Sequence, residues 1–145
     1  MVSTSPGDEV VDDRDAVLEV LERIRRGWES MEGDAVLACF EASDTTVVIG
    51  TDEPEYWIGY AAFEGPFRSM AGTFSDADYR WTDGPSVEID GRIAWSTGRL
   101  VGRFRSGSED IELDMRTTHV LRRGANGWAI VQGHYSLAAA EPTSY

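Results

Sequence analysis

The chain has 145 residues, 26 acids against 13 bases, and a formal net charge of −13; every base is an Arg. That length suits one domain able to bury a core without a metal or disulfide staple. The acidic balance argues against nucleic acid and against anionic membrane surfaces, both of which need a basic footprint.

Further features narrow the class. A single Cys39 excludes an internal disulfide and a cysteine-based metal cluster. No stretch approaches the roughly 18 apolar residues of a membrane span. The first residues lack the basic and apolar regions of a signal peptide, so a cytoplasmic protein is expected. The acidic surplus fits ordinary solubility or salt adaptation equally.

In chain order, residues 1–11 read as a mobile tail. A helix is expected over about Asp13 to Met31, its acid-rich start facing the positive dipole end. Val17, Leu21, Ile24, Trp28 and Met31 make one apolar stripe. Glu19–Arg23 and Glu22–Arg26 lie on the other side; Glu22 and Glu29 read as solvated acids rather than catalytic ones. Gly33-Asp34 ends this helix and starts a short one over Ala35 to Phe40, with Asp34 as N-cap. A strand over Thr45 to Ile49 and a loop over Gly50 to Glu55 come next. Tyr60 to Met70 reads as a helix with Phe63, Phe67 and Met70 on one side, kinked or split at Gly65-Pro66.

After Gly72 the pattern turns strand-like. Asp78 to Thr82 and Ser86 to Ile89 are strand pieces, closed by the turn Asp90-Gly91. Ile93 to Phe104 is a long strand that Gly98 and Gly102 should curve. Past the turn Ser106-Gly107-Ser108, residues Ile111 to Arg122 alternate. Ile111, Leu113, Met115, Thr117, His119 and Leu121 share one face; Glu112, Asp114, Arg116, Thr118, Val120 and Arg122 share the other. The turn Gly124 to Gly127 leads to a last strand, Trp128 to Leu137, and residues 139–145 read as a frayed tail. Helices followed by an antiparallel run describe an α+β domain over residues 12–138. A curved sheet wrapped round a long helix leaves a cone with a cavity suited to a small molecule.

The order of motifs resembles the nuclear transport factor 2-like superfamily, and within it the SnoaL-like, ketosteroid-isomerase-like group. The residues that carry this are Gly33-Asp34-Ala35 with Phe40 and Asp44, then Trp57-Ile58-Gly59-Tyr60, read as opening the third helix. Arg116 to Arg123, Gly127-Trp128-Ala129-Ile130-Val131 and His134-Tyr135-Ser136 complete the set. The resemblance spans about Asp13 to Ala138. It implies a cone-shaped α+β barrel, cystatin-like in build, and a homodimer packed through the outer sheet face. It implies little about chemistry, since members include isomerases, cyclases, dehydratases, hydrolases, scaffolds and binders. Three departures speak against a ketosteroid-isomerase mechanism. Apolar Ile49 stands near the expected base, residues 115–123 hold no carboxylate, and the first helix has no Tyr. Asp52 or Glu53 could supply a base from the loop.

Candidate chemistry centres on two residues. His134, near the end of the last strand, is a candidate acid or base; a histidine packed against a neighbouring strand is the alternative. Arg116, which the resemblance turns into the cavity, would bind a carboxylate or other oxyanion; a surface ion pair is the alternative. Alternation alone leaves open which sheet face lines the cavity, because a bulge would swap them. His119, on the apolar face, reads as a core or interface histidine. Asp114 and His119 are five apart on a strand and point oppositely, which opposes a metal site, and none is expected. Cys39 reads as core. Trp28, Trp57, Tyr60, Phe63 and Phe67 would make aromatic walls, or simply core. Arg99, Arg103 and Arg105 should pair with acids across the sheet.

The reading is a cofactor-independent pocket for a small, partly apolar carbonyl or carboxylate compound. Arg116 holds its oxygen, His134 moves a proton, and Trp28, Trp57, Tyr60 and Phe67 line it. Whether it catalyses as an isomerase, cyclase or hydrolase is left open. The alternative is a non-catalytic homodimeric assembly or regulatory domain.

Overall fold

The computed structural model describes residues 12–141 and 144. The expected tail over residues 1–11, and residues 142, 143 and 145 of the expected C-terminal tail, lie outside the described residues. The element order is α1 (Asp13–Glu29), α2 (Gly33–Leu37), β1 (Val47–Ile49), β2 (Tyr56–Ile58), α3 (Tyr60–Thr73), β3 (Phe74–Asp90), β4 (Ile93–Ser106), β5 (Glu109–Gly124) and β6 (Gly127–Leu137).

Helix α1 starts where its cap allows. The Asp12 carboxylate accepts from the Arg14 N–H at 3.0 Å, satisfying one of the free donors of the first turn. The apolar stripe buries Val17, Val20, Leu21 and Ile24, each such side chain contributing about 1.5–3 kcal/mol. Gly27 lets α1 touch α2, since a Cβ there would stand 2.8 Å from Val36 Cγ2. The helix ends two residues before the expected Met31. The Ser30 hydroxyl donates to Arg26 O, and Met31 takes a positive φ of 57°, which no helix continues.

Other boundaries also differ from expectation. Helix α2 begins at Gly33 with Glu32 at its N-cap position, so Asp34 is not the cap. Asp34 instead accepts from Arg68 of α3 at 2.8 Å. Phe40 leaves the helix and bridges Ile130. Trp57-Ile58, expected in a helix, belong to β2, and Gly59 (φ 94°) turns the chain into α3. That helix runs through Pro66 as one element. The two expected strand pieces merge into β3, whose register shifts between Ser75/Asp78, Trp81/Asp83 and Asp83/Ser86. Irregular pairing hides a long strand from a periodicity count.

The six strands run in the order β2-β1-β6-β5-β4-β3, with β1 and β6 parallel and the other neighbours antiparallel. The sheet is open and curved, and the helices pack on its concave side. Asp13 ties α1 to the β5–β6 hairpin, accepting from Trp128 Nε1 at 3.0 Å and from Arg123 at 3.0 Å. Arg25 and Glu29 tie its other end to β3, bonding the C=O and N–H of Tyr79 at 2.8 and 3.0 Å. Glu22 and Glu29, the acids weighed on this helix, therefore hold structure; Arg25 keeps the Glu22 carboxyl below its usual range. One core cluster lies under α1, α2 and α3. A second, around Tyr79, Leu100, Phe104 and Met115, lies toward the other end of the sheet, and Trp28 and Tyr135 touch both. No helix among the described residues is long and apolar enough to cross a membrane.

Candidate functional site

Between these two clusters the interior is hollow. The cavity has a volume of about 320 Å³. Seven aromatic residues line it: Trp28 from α1, Trp57 from β2, Phe67 from α3, Phe74 and Tyr79 from β3, Phe104 from β4 and Tyr135 from β6. Leu100, Met115 and Val48 fill in between. The rings brace one another edge to face: Trp28–Phe67 at 5.2 Å and Trp57–Phe67 at 5.8 Å between centroids. Tyr79 lies flat over β4, where a Cβ on Gly102 would stand 2.5 Å from its ring. This glycine makes room for an aromatic wall.

The polar groups of the cavity sit at two places. At the mouth, the β1–β2 loop brings Thr51, Asp52 and Glu55 to the lining. Glu55 folds back over Gly50, and its carboxylate accepts from the Asp52 N–H at 3.0 Å. Inside, Tyr135 reaches over Gly133 to His119, with 2.7 Å between its hydroxyl and Nε2. Burial holds the His119 imidazole down at about 4, so it is neutral at pH 7. Burial also pushes the Tyr79 phenol up to about 12 and the Tyr135 phenol higher still. His119 Nδ1 and Ser96 Oγ, at facing positions of β5 and β4, are buried without a partner among the described residues. A neutral imidazole carries one proton. Placing it on Nε2 spares the ring a buried N–H without an acceptor and leaves the Tyr135 O–H free to donate elsewhere.

The structure places Trp28, Trp57 and Phe67, the candidate wall residues, on the lining of this cavity. Tyr60 is not on it; its ring packs on Phe63 at 5.3 Å within the main core. Arg116 and His134 face the opposite way, on the convex side of the sheet. There Arg116 donates to Ser136 Oγ and Leu137 O, both at 3.2 Å, beside Arg99 and Thr118. The expected inward pair is therefore corrected, and the reason is local. On β5 the apolar set Met115, Thr117, His119 and Leu121 takes the concave side, which turns Arg116 out. On β6, Trp128 and Ile130 face inward, and simple alternation would carry His134 inward after them. The register shift at Val120/Leu121 inserts Val131 and reverses the parity, so Gly133 and Tyr135 face in and His134 faces out.

Other sequence candidates are also located. Arg103 and Arg105 pair with Glu112 and Asp110 as expected, while Arg99 has no acid within salt-bridge distance among the described residues. Cys39 is buried, and burial raises its thiol to about 11. No group of three or more potential metal ligands converges among the described residues. Of the two loop acids weighed as bases, Asp52 lines the mouth and Glu53 does not. Sequence reasoning missed Tyr79, Tyr135 and Glu55. The inward parity of Leu113, Met115 and His119 could have pointed to the strand face, but not to the bulge that selects Tyr135.

The model of the SnoaL-like domain family matches residues 17–140. No curated protein matches the chain. Among solved structures, a nuclear transport factor 2-like superfamily protein from Salmonella enterica serovar Typhimurium is similar, with a TM-score of 0.80 and 18% identity over 90% of this chain and 94% of that one. A candidate dehydratase of the nuclear transport factor 2-like family from Streptomyces avermitilis gives 0.78 and 16%, over 94% and 100%. A candidate aromatic ring hydroxylase from Novosphingobium aromaticivorans gives 0.76 and 18%, over 93% and 94%. At these identities the likeness concerns the fold, which hosts many reactions.

Proposed function

The chain belongs to the SnoaL-like domain family, and from that premise we propose that it binds a small, flat, largely apolar molecule in the interior cavity. The observation that carries this reading is the aromatic hollow itself, about 320 Å³ with seven rings on its walls. Apolar atoms gain from leaving water, and rigid rings lose little entropy on gripping them. The ligand carries an oxygen that accepts from the Tyr135 hydroxyl, whose own oxygen is held by neutral His119. A carbonyl suits this donor. A carboxylate suits it less, because no Arg or His among the described residues is in the lining. The same arrangement could serve a cofactor-independent isomerase, cyclase or hydrolase, with Tyr135 polarising the carbonyl and Asp52 or Glu55 taking a proton at the mouth. Arg116 and His134, proposed from sequence as the oxyanion holder and proton carrier, would act at this site only if the sheet face were reversed.

The test uses 2-acetylnaphthalene, a neutral flat ketone, followed by quenching of Trp fluorescence. Leu100→Trp, which fills the cavity, should abolish binding, and Tyr135→Phe should weaken it several-fold. Arg116→Ala and His134→Ala should leave it unchanged. Binding that survives Leu100→Trp but is lost on changing Arg116 or His134 overturns the reading.

A second reading, homodimeric assembly, draws on the convex face, where Ile93 and Trp95 are 38% and 46% exposed, two residues apart on one side of β4. Exposed large apolar side chains on one sheet face suit a self-complementary contact. Light scattering should give a dimer that Trp95→Arg converts to monomer; a wild-type monomer at micromolar concentration removes this reading.

A further inference from the structure

The ligand reading above leaves its charge open, and the following step rests on it. We propose that the cavity selects a cationic amphiphile, a flat aromatic amine whose apolar end enters the hollow while its ammonium stays at the mouth. Among the described residues the lining holds two carboxylates, Asp52 and Glu55, and not one Lys, Arg or His. Neither carboxylate has a salt-bridge partner among the described residues, whereas Glu22, Glu29, Glu41 and Asp34 all do. Glu55 is pinned in place by the Asp52 N–H, so its charge needs little reordering to meet a ligand.

The two halves of such a ligand match the two halves of the site. A charge taken fully into the apolar interior would lose its hydration without return, so it belongs at the rim. There the carboxylates attract it, and Trp57, two residues from Glu55 and on the same lining, adds an aromatic ring whose quadrupole favours a cation. An anionic ligand meets the opposite field at that rim, within a chain whose net charge is −13. Charge at the mouth thus discriminates between ligands that the aromatic walls would hold equally well.

Three naphthalenes of one shape test this at low salt: 2-naphthylmethylamine as cation, 2-naphthylmethanol as neutral, and 2-naphthoate as anion. The amine should bind about tenfold more tightly than the alcohol, with the acid weakest. The double substitution Asp52→Asn with Glu55→Gln should remove the amine's advantage over the alcohol, while thermal denaturation reports an intact fold. Glu88→Gln with Asp90→Asn, the same charge change on exposed acids at the far end of β3, should keep the advantage. An amine no tighter than the alcohol, an acid that binds best, or an advantage lost equally with Glu88 and Asp90 overturns this proposal while the cavity reading stands. An advantage that survives the change at Asp52 and Glu55 also overturns it. Failure of the alcohol to bind wild type overturns the cavity reading and this proposal together.

Discussion

The concave and convex faces of β4 and β5 share one backbone and live in different solvents. On the concave side Leu100, Phe104, Met115 and His119 are nearly out of reach of water. On the convex side Arg99, Arg116 and Thr118 stand in it. The comparison shows why residue type alone misplaces a site. An Arg and a His invite a catalytic reading, yet the face that holds them is the wet one. The hollow presents phenols on its wall, one of them backed by the neutral imidazole of His119, and carboxylates at its edge. Desolvation marks the concave groups, lowering one imidazole and raising two phenols from their ordinary values.

The largest expected difference between the faces is mechanical. Leu121→Ala, at a fully buried position, should cost about 2–5 kcal/mol in chemical denaturation. Thr118→Ala, three residues away on the other side, should stay within about 0.5 kcal/mol. Equal costs would mean that the convex face is also buried, as in a tight dimer.

The next contrast is a pH dependence. The His119 value of about 4 in the folded chain lies below the ordinary 6.5, so the unfolded chain takes up the proton first as pH falls. The stability tied to neutral His119 is fully present above pH 6.5 and is lost on the way down toward 4. Between pH 7 and 5 this amounts to about 2 kcal/mol. Denaturation of wild type and His119→Leu at both pH values should show a shallower decline in the variant. Parallel declines would deny His119 the buried, neutral state.

A smaller effect is expected at the aromatic wall. Gly102→Ala drives a methyl against the Tyr79 ring and should cost about 1–2 kcal/mol, with weaker binding of 2-acetylnaphthalene. Gly107→Ala meets no neighbouring atom but strains a positive φ of 63°, so it should lower stability without touching ligand affinity. The smallest expected effect belongs to Cys39. Its raised thiol value and burial should leave it unreactive to iodoacetamide at pH 8 until the chain is unfolded, as mass spectrometry can follow.

Much of the architecture was legible because it rests on local periodicity. The stripe on α1, the alternation of β5 and the turns at Gly91, Gly107 and Gly124 to Gly127 placed the helix and three hairpin strands within a few residues. Strand β2 was missed because three residues pair with only three others, too short a run for any period to show. The single span of β3 was missed because its irregular pairing breaks the alternation. At the site, Trp28, Trp57 and Phe67 were found as aromatics on elements facing the interior. Tyr135 was passed over for its neighbour His134, since one inserted residue decides between them.

By itself the sequence determined the class of fold, the acidic charge, and which residues travel together on the evenly alternating strands β4 and β5. Those follow from composition and from the period of two, which any extended strand must obey. The tertiary structure alone decided which of the two sets looks inward. That choice depends on where Val131 bulges against β5 and on which side the helices land, and both are pairings between residues far apart in the chain.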